Sequence, residues 1–403
     1  MTRGGAGPYT RSVLRAALPA LGLTLAFVGG ARADPPARTL RWASVTASPS
    51  ALMASSLSDR EAELQAACGE PETGLRGVAR EVVLAKLESA AALDPDELAR
   101  EQRAAGEPHV WPRAWLVSGR ALDHSTTLAR LSAWRHSFQD IGQRRCGVAT
   151  AFAPDGTEVI AAVAVDALAD LAPVPIRAHT GGWVAVDAAL LVPATGAHLV
   201  ILGPSGEPRT APTSLSGGHI RGGFAPDRPG AFTLQIVADV VTGPRPVLEA
   251  AIFADTEPPA IMGVSPAPGE GIAGGAIPPS DALSSMLLTA RSLAGLSPLG
   301  RDARLDALAL AHARRMARAH AVGHDLGDGD PSQRLESAGL VARQSGENVA
   351  HAPTVALAHR ALYASPSHRA NMLRPEFRAV GVAVVLDPDG SVWVAEEFTT
   401  RLD

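Results

Sequence analysis

The sequence predicts a multi-domain protein of the α+β class. Its 403 residues exceed what one hydrophobic core usually serves. A composition of 46% hydrophobic and 19% charged residues is typical of globular protein. Along the chain the hydrophobic period changes from helical to strand-like and back to helical, and prolines and glycines gather between these segments. Each segment is therefore expected to fold around its own core.

Residues 1–33 have the pattern of a secretory signal peptide. Arginines precede an apolar run, Ala16–Val28, and Ala31-Arg32-Ala33 follows as a small-x-small site. We expect cleavage after Ala33 and a secreted or periplasmic protein with no transmembrane segment after cleavage. The run is shorter than the ~20 apolar residues that span a bilayer. An uncleaved membrane anchor is the alternative.

The mature chain is expected to be acidic. Removal of residues 1–33 takes away four arginines and no acidic residue, so the net charge moves from −5 to −9. An acidic protein has no electrostatic reason to bind nucleic acid, because the phosphate backbone attracts cationic surfaces. We therefore expect no nucleic-acid partner.

Residues 34–60 are small and polar and are predicted to be a tether, and residues 61–172 an N-terminal α+β region. Helices are predicted at 61–67, 75–92 and 126–138, with a helix cap at Asp94, and a hairpin at 147–165 turns on a Pro-Asp-Gly sequence. Cys68 and Cys146 both lie here. In an oxidising compartment they either form one disulfide or remain two buried thiols, and neither is near the candidate cleft described below.

The same hairpin pattern occurs twice. Gly147-Val148-Ala149 precedes Pro154-Asp155-Gly156 at the spacing with which Gly381-Val382-Ala383 precedes Pro388-Asp389-Gly390. This favours an old duplication, in which residues 61–172 are a degenerate repeat of the C-terminal domain. The alternative is chance, since Pro-Asp-Gly turns are common in hairpins.

Residues 173–255 are predicted to form an immunoglobulin-like β-sandwich. Short apolar runs at 183–192, 197–202, 231–238 and 247–254 alternate with turn clusters, which is the spacing of an all-β domain. Residues 256–280 are rich in proline and glycine and are predicted to be a linker. The last domain is placed at 281–403.

The C-terminal domain carries the candidate site. A helix capped by Asp281 and a second helix at 304–320 precede two shorter helices and a terminal pair of strands. His324, Glu347 and His368 are spaced 23 and 21 residues apart, too far for one helix face. Only the fold can bring them into one cleft.

A set of motifs in this domain resembles a known family. In order, they match the bacterial branch of the CAP superfamily, with its SCP-like extracellular domain, which takes in cysteine-rich secretory proteins, antigen 5 and plant pathogenesis-related class 1 proteins. The resemblance covers residues 283–401. The motifs are Gly295-Leu296-Ser297-Pro298-Leu299, Ala311-His312, the His324 turn, Arg334 with Ala338-Gly339, Gly346-Glu347-Asn348-Val349-Ala350, Ser365-Pro366-Ser367-His368-Arg369-Ala370-Asn371-Met372-Leu373 and Gly381-Val382-Ala383.

The resemblance implies an α-β-α sandwich with a cleft lined by His324, Glu347 and His368, which can hold a divalent metal. Two imidazoles and a carboxylate suit zinc best. A fourth acidic position of the family falls at Ser365, which weakens the metal site, and Asn371 is expected to orient a loop of the cleft. A calcium site formed by Asp325, Asp328 and Asp330 is a separate hypothesis. The spacing of these three residues does not match the twelve-residue calcium-binding loop.

Three functions are compatible with these patterns. The first is a secreted binding module whose cleft takes an envelope, lipid or protein ligand. The second is a metal-assisted hydrolase or peptidase that uses Glu347 as its base, although the chain has no His-Glu-x-x-His motif. The third is a structural or adhesion protein that acts through the β-sandwich. We expect the first.

Overall fold

The computed structural model describes residues 40–46, 57–88, 95–138, 140–241, 243–260, 266–274 and 277–400. The predicted signal peptide and the Asp94 cap lie outside the described residues. The helices are α1 (Asp59–Cys68), α2 (Thr73–Glu88), α3 (Pro95–Ala104), α4 (His124–His136), α5 (Pro279–Leu293), α6 (Ala303–Ala319), α7 (Pro331–Ser337), α8 (Val355–Ala364) and α9 (Pro366–Leu373). The strands are β1 (Glu70–Pro71), β2 (Arg113–Gly119), β3 (Gln143–Phe152), β4 (Glu158–Ala167), β5 (Ala169–Leu171), β6 (Arg177–Ala178), β7 (Val184–Leu190), β8 (Ala197–Leu202), β9 (Arg209–Ala211), β10 (Thr213–Ser216), β11 (His219–Phe224), β12 (Gly230–Val240), β13 (Gly243–Ala254), β14 (Gly300–Arg301), β15 (Ser345–Ala352), β16 (Ala379–Leu386) and β17 (Val392–Thr399).

These elements confirm the predicted mixed class of helices and strands. The N-terminal sheet has the order β1-β3-β4-β2, with α2 packed on β3 and β4. Its core buries Leu75, Val78 and Val82 of α2 against alternate residues of β4. Cys68 at the end of α1 and Cys146 on β3 form a disulfide with a Cα–Cα distance of 5.8 Å. The alternative of two unpaired thiols is therefore excluded by this structure.

Two further sheets form the β-sandwich. One has the order β10-β11-β7-β5 and the other β6-β13-β12-β8-β9. Alternate residues of both, among them Val186, Ile220, Leu234 and Ile252, fill the space between them. The strands β9, β10 and β11 were not predicted, because their small and polar residues give a weak hydrophobic alternation.

The C-terminal domain is layered as helix, sheet and helix. Its sheet has the order β14-β16-β17-β15. Leu283 and Met286 of α5, with residues of α8 and α9, pack on one face through Val394 and Phe398. Ala309 and Met316 of α6 pack on the other face, through side chains such as Ala395. Because β17 is covered on both faces, all eight of its residues are buried.

Helix α5 differs in its first turn from the prediction. It begins at Pro279, two residues before Asp281, and no side chain caps it. Proline is favourable at the first position of a helix because its missing N–H would have no partner there. The carboxylate of Asp281 instead pairs with the guanidinium of Arg301.

The first and last sheets share one connectivity. In each, the short first strand runs parallel to the third, and the remaining pairs are antiparallel. Gly147 lies against the backbone of Leu75 in α2, and Gly381 lies in the same way against Leu305 in α6, so neither position has room for a Cβ atom. This likeness supports the duplication, which stays a prediction. No helix among the described residues is both long and apolar enough to cross a membrane.

Candidate functional site

The carboxylate of Glu347 is held in place by the sheet. Glu347 lies on β15 directly opposite Glu397 on β17. Both side chains are buried, on the face of the sheet that α6 covers. The neighbouring pair, Asn348 and Glu396, points to the other face, because successive side chains of a strand alternate. Of the two adjacent glutamates on β17, only Glu397 therefore reaches Glu347.

Arg334 on α7 neutralises this pair of acids. Its Nη2 donates to the carboxylate of Glu347 and, at 3.2 Å, to Oε1 of Glu397. Its Nη1 donates to the backbone carbonyls of His324 and Gly329, both at 2.6 Å. Asp330 caps α7, with its side chain accepting from the backbone N–H of Gln333. One guanidinium thus joins the histidine loop to the two glutamates.

His324 completes the contact with Glu347. Its Nδ1 lies 2.6 Å from Oε1 of Glu347, and 13% of its side chain is exposed. Behind it, His312 is fully buried on α6. The Nδ1 of His312 lies 2.8 Å from Oδ2 of Asp328, and its Nε2 lies 2.8 Å from the carbonyl oxygen of Gly323. His312 therefore fixes the loop that carries His324.

The electrostatics favour neutral imidazoles at pH 7. Burial lowers the pKa of His324 to about 4 and the pKa of His368 to about 3, the latter also lowered by the charge of His324. Burial raises the pKa of Glu347 to about 7, although Arg334 acts in the opposite direction. Burial and the neighbouring Glu347 raise the pKa of Glu397 well above its ordinary value. The two carboxyl groups lie opposite each other on neighbouring strands, and Arg334 contacts both.

His368 and Asn371 approach from α9, on the other side of β15. Asn371 donates to the carbonyl oxygen of Glu347 at 3.2 Å and to Oδ1 of Asn348 at 3.0 Å. Asn348 donates to the carbonyl oxygen of His368 and to Oε2 of Glu396. These bonds fix α9 to the strand that carries Glu347, which is the positioning role expected of Asn371.

The β-sandwich lies against the same helix. Gln235 on β12 donates through Nε2 to Oγ of Ser365 at 3.2 Å and accepts through Oε1 from the backbone N–H of Ser367 at 3.0 Å. The same Nε2 donates to Glu249 on β13, whose other oxygen pairs with Arg103 of α3. A polar chain therefore runs from the N-terminal region through the sandwich to the first turn of α9.

A turn of the sandwich also reaches His324. Gly243, at the start of β13, has a φ of +95°, and a Cβ atom added there would lie 2.9 Å from Cβ of His324. Only glycine fits this approach without strain. The sandwich therefore borders the loop that carries His324.

The arrangement does not form a metal-ligand set. Both carboxylate oxygens of Glu347 are already in hydrogen-bond contact, Oε2 with the guanidinium of Arg334 and Oε1 with Nδ1 of His324. Ser365 supplies a hydroxyl and not a carboxylate, and Gln235 donates to that hydroxyl. Within the described part of the chain, no group of three or more His, Cys, Asp or Glu side chains is placed to hold a metal ion. The zinc site stays a prediction that this geometry does not support.

The geometry also gives no support to a calcium site at Asp325, Asp328 and Asp330, because each of these acids has a local structural role. Asp325 accepts from the backbone N–H groups of Gly327 and Gly329, and Asp328 holds His312. Asp330 caps α7. These are the roles of turn and cap residues.

Of the predicted cleft residues, His324 contacts Glu347 directly, and His368 lies near His324. Asn371 donates to the backbone of Glu347, and Ser365 lies at the start of α9. Three further residues of the site were missed as cleft residues: Arg334, Glu397 and Gln235. For Glu397 the strand alternation is a usable signal. For Gln235, 130 residues from Ser365, no local pattern exists.

Residues 286–397 match the family model described as CAP, the cysteine-rich secretory protein family. No curated protein sequence matches the chain. Solved structures that are similar include an outer surface protein from Borrelia burgdorferi, at 20% identity over 30% of this chain and 92% of that protein, with a TM-score of 0.29.

Two others are an extracellular protein containing an SCP domain from Bacillus anthracis and a cysteine-rich secretory protein from Staphylococcus aureus. The first is 15% identical over 57% of this chain and 84% of that one, with a TM-score of 0.29. The second is 11% identical over 57% and 85%, with a TM-score of 0.26. At residues 286–397 this chain contains a CAP domain of the cysteine-rich secretory protein family.

Proposed function

We propose that this chain is an extracellular binding protein whose CAP cleft recognises a component of the cell envelope, either a lipid or a protein. The supporting observation is that both oxygens of Glu347 are engaged by fixed donors, Arg334 and His324. A carboxyl group bound in this way is a poor metal ligand, because neither of its oxygens is left open. The network itself is buried, so a ligand meets it at His324, whose side chain is 13% exposed, and not at Glu347.

The serine hydroxyls give no support to covalent catalysis. Ser365 Oγ pairs with Gln235 and lies 3.5 Å from Ser367 Oγ. A nucleophile needs a base within hydrogen-bond reach, and the partner seen here is an amide. Because Gln235 and Gly243 border the cleft, we propose that its rim is composite, with one side supplied by the sandwich.

The experiment is co-sedimentation of the full mature chain with vesicles of phosphatidylethanolamine and phosphatidylglycerol, and separately with solubilised envelope proteins. We expect retention by one of the two, and at least tenfold weaker retention of His368→Ala. His179→Ala is the matched control, because His179 lies on the sandwich with 91% of its side chain exposed. Failure of the wild type to bind either preparation, or equal retention of His368→Ala, contradicts the proposal.

A hydrolase is the second candidate, favoured by one observation. Glu347 and Glu397 form a pair of buried carboxyl groups beside the imidazole of His324, a combination found in acid–base sites. If the site is catalytic, envelope peptides are cleaved by the wild type and not by Glu347→Gln. Cleavage that survives this substitution removes the cleft from the reaction.

A further inference from the structure

The solvent-facing side of the smaller sandwich sheet has the features of a second binding surface. Residues of this sheet alternate, so that Val184, Val186 and Ile220 enter the core while their neighbours point outward. We call the outward set the outer face. It consists of Trp183, Ala185, Asp187 and Ala189 on or just before β7, His219, Arg221 and Gly223 on β11, Ser214 and Ser216 on β10, and Asp170 on β5, whose carboxylate pairs with Arg145.

Trp183 is the dominant feature of this face. Its side chain is 68% exposed in the complete described chain, so neither the N-terminal region nor the CAP domain covers it. The ring rests on Gly223, where an added Cβ atom would lie 2.6 Å from Cζ2 and 2.8 Å from Cε2 of the indole. Glycine therefore leaves room for the ring to lie close to the sheet. A large aromatic side chain held on a backbone floor and left open to solvent is a stacking platform.

The rest of the outer face is polar and electrically balanced. Arg221 Nε donates to Asp187 Oδ2 at 3.0 Å, and His219 Nδ1 lies 3.4 Å from Oδ1 of the same carboxylate. Ser214 and Ser216 lie beside Arg221 and His219 in the register of β10 and β11. The ion pair cancels its own charge, while its exposed groups keep donors and acceptors available to a ligand.

We propose that the outer face binds a neutral polysaccharide chain, with a sugar ring stacked on Trp183 and hydroxyl groups bonded to Asp187 and Arg221. The C–H face of a sugar is apolar and packs on an indole, whereas its hydroxyl rim needs both donors and acceptors. Trp183 and Asp187 are four residues apart along the strand, which is ~13 Å. The face is thus long enough for more than one sugar ring.

The charge balance is the argument for this occupant. An anionic polymer would need uncompensated cations, and a cationic one would need uncompensated acids. The outer face offers Arg221 already paired with Asp187. A protein partner would be expected to meet several apolar anchors, but Trp183 is the single large apolar side chain among the outer-face residues defined above.

The test is retention of the full mature chain on three insoluble neutral polysaccharides, namely cellulose, β-1,3-glucan and chitin, with polygalacturonate gel as an anionic comparison. We expect binding to at least one neutral matrix and none to polygalacturonate. Trp183→Ala should bind about tenfold more weakly, and Trp183→Phe should keep part of the affinity, because a smaller ring still stacks. Arg221→Ala is a second variant that leaves the ring in place.

Phe152→Ala is the matched control, since Phe152 is 66% exposed on the hairpin of the N-terminal region, away from the outer face. It should bind like the wild type, as should His368→Ala in the CAP cleft. The proposal is overturned if no neutral matrix retains the wild type, if polygalacturonate retains it equally, or if Trp183→Ala, with an unchanged melting temperature, binds as the wild type does. The His368→Ala variant separates this outcome from failure of the cleft proposal.

Discussion

Replacement of Arg334 by methionine tests whether one guanidinium holds the cleft together. The side chain is 7% exposed and donates to two carboxylates and two backbone carbonyls. Methionine keeps much of the apolar volume but removes every donor. Loss of one partner from a buried ion pair costs about 3–5 kcal/mol, because the remaining charge stays buried without compensation. We expect a loss of this size in the local stability of β15 and β17.

Protonation of the abandoned carboxyl group limits the loss. The pKa of Glu347 is already raised to about 7 by burial, with Arg334 opposing the rise. Without Arg334 the folded-state pKa rises further above the unfolded value. A raised carboxyl pKa destabilises the fold increasingly as the pH climbs from the unfolded pKa to the folded one. The loss should therefore be larger at pH 8 than at pH 6.

Native-state hydrogen exchange is the suitable assay, because a multi-domain chain does not unfold in two states and local opening must be read directly. Amides of β15 and β17 report the cleft, and those of β12 serve as an internal reference. Arg304→Met is the control, since Arg304 pairs with Asp302 at an exposed site where ion pairs contribute at most about 1 kcal/mol. The double variant Arg334→Met with Glu347→Gln should recover part of the loss. A change below about 1 kcal/mol for Arg334→Met refutes the reasoning.

The remaining predictions concern the interfaces and the N-terminal region. Cys68→Ser should lower the local stability of the N-terminal sheet by about 4 kcal/mol in the chain-entropy model, since the disulfide closes a loop of 78 residues. Hydrogen exchange of β3 amides that is insensitive to reductant in the wild type would contradict this. Gln235→Leu should loosen the contact of the sandwich with α9, because it removes the hydrogen bonds to Ser365 and Ser367 and the hydrogen bond that Gln235 donates to Glu249. We expect the α9 amides to exchange faster, by roughly tenfold or more. Gly243→Ala should act in the same direction through strain and the approach to His324, whereas Gly206→Ala, also at positive φ but with open space around it, should leave α9 unaffected. His109→Gln should flatten the pH dependence of stability. Burial acts to lower the pKa of His109, but the charge of Glu107 and its hydrogen bond raise that pKa overall, so the stabilisation from His109 is present below about pH 6.5 and is lost as the pH rises through the folded-state pKa. Identical pH profiles of stability for the variant and the wild type would count against this.

Local patterns predicted the elements of this chain better than its contacts. The helix α7 follows from the sequence of its cap and of Pro331, and β8 was predicted residue for residue because it is a short apolar run between turns. The cleft depended on the family resemblance, since nothing local links His324 to Glu347 across 23 residues. The pairing of Arg334 with Glu347 emerged only from the fold.

The border between the sandwich and the cleft had no sequence signal at all. Gln235 is an unremarkable polar residue in a strand, and its role depends on the register that places it opposite Glu249 and on the docking of β12 against α9. The sequence gives no sign that Gly243 is required either. The left-handed turn at Gly243 is local, but His324, the neighbour that requires glycine there, is 81 residues away. Long-range packing, which no periodicity encodes, determined both.

The metal content of the purified mature chain at neutral pH, compared between wild type and His324→Ala, tests the central claim most directly. The account holds that Glu347 is committed to Arg334 and His324 and that the cleft recognises its ligand without a bound metal. It predicts far less than one equivalent of zinc or any other divalent metal in both proteins. One equivalent in the wild type that disappears in His324→Ala would contradict the account and would identify a metal site.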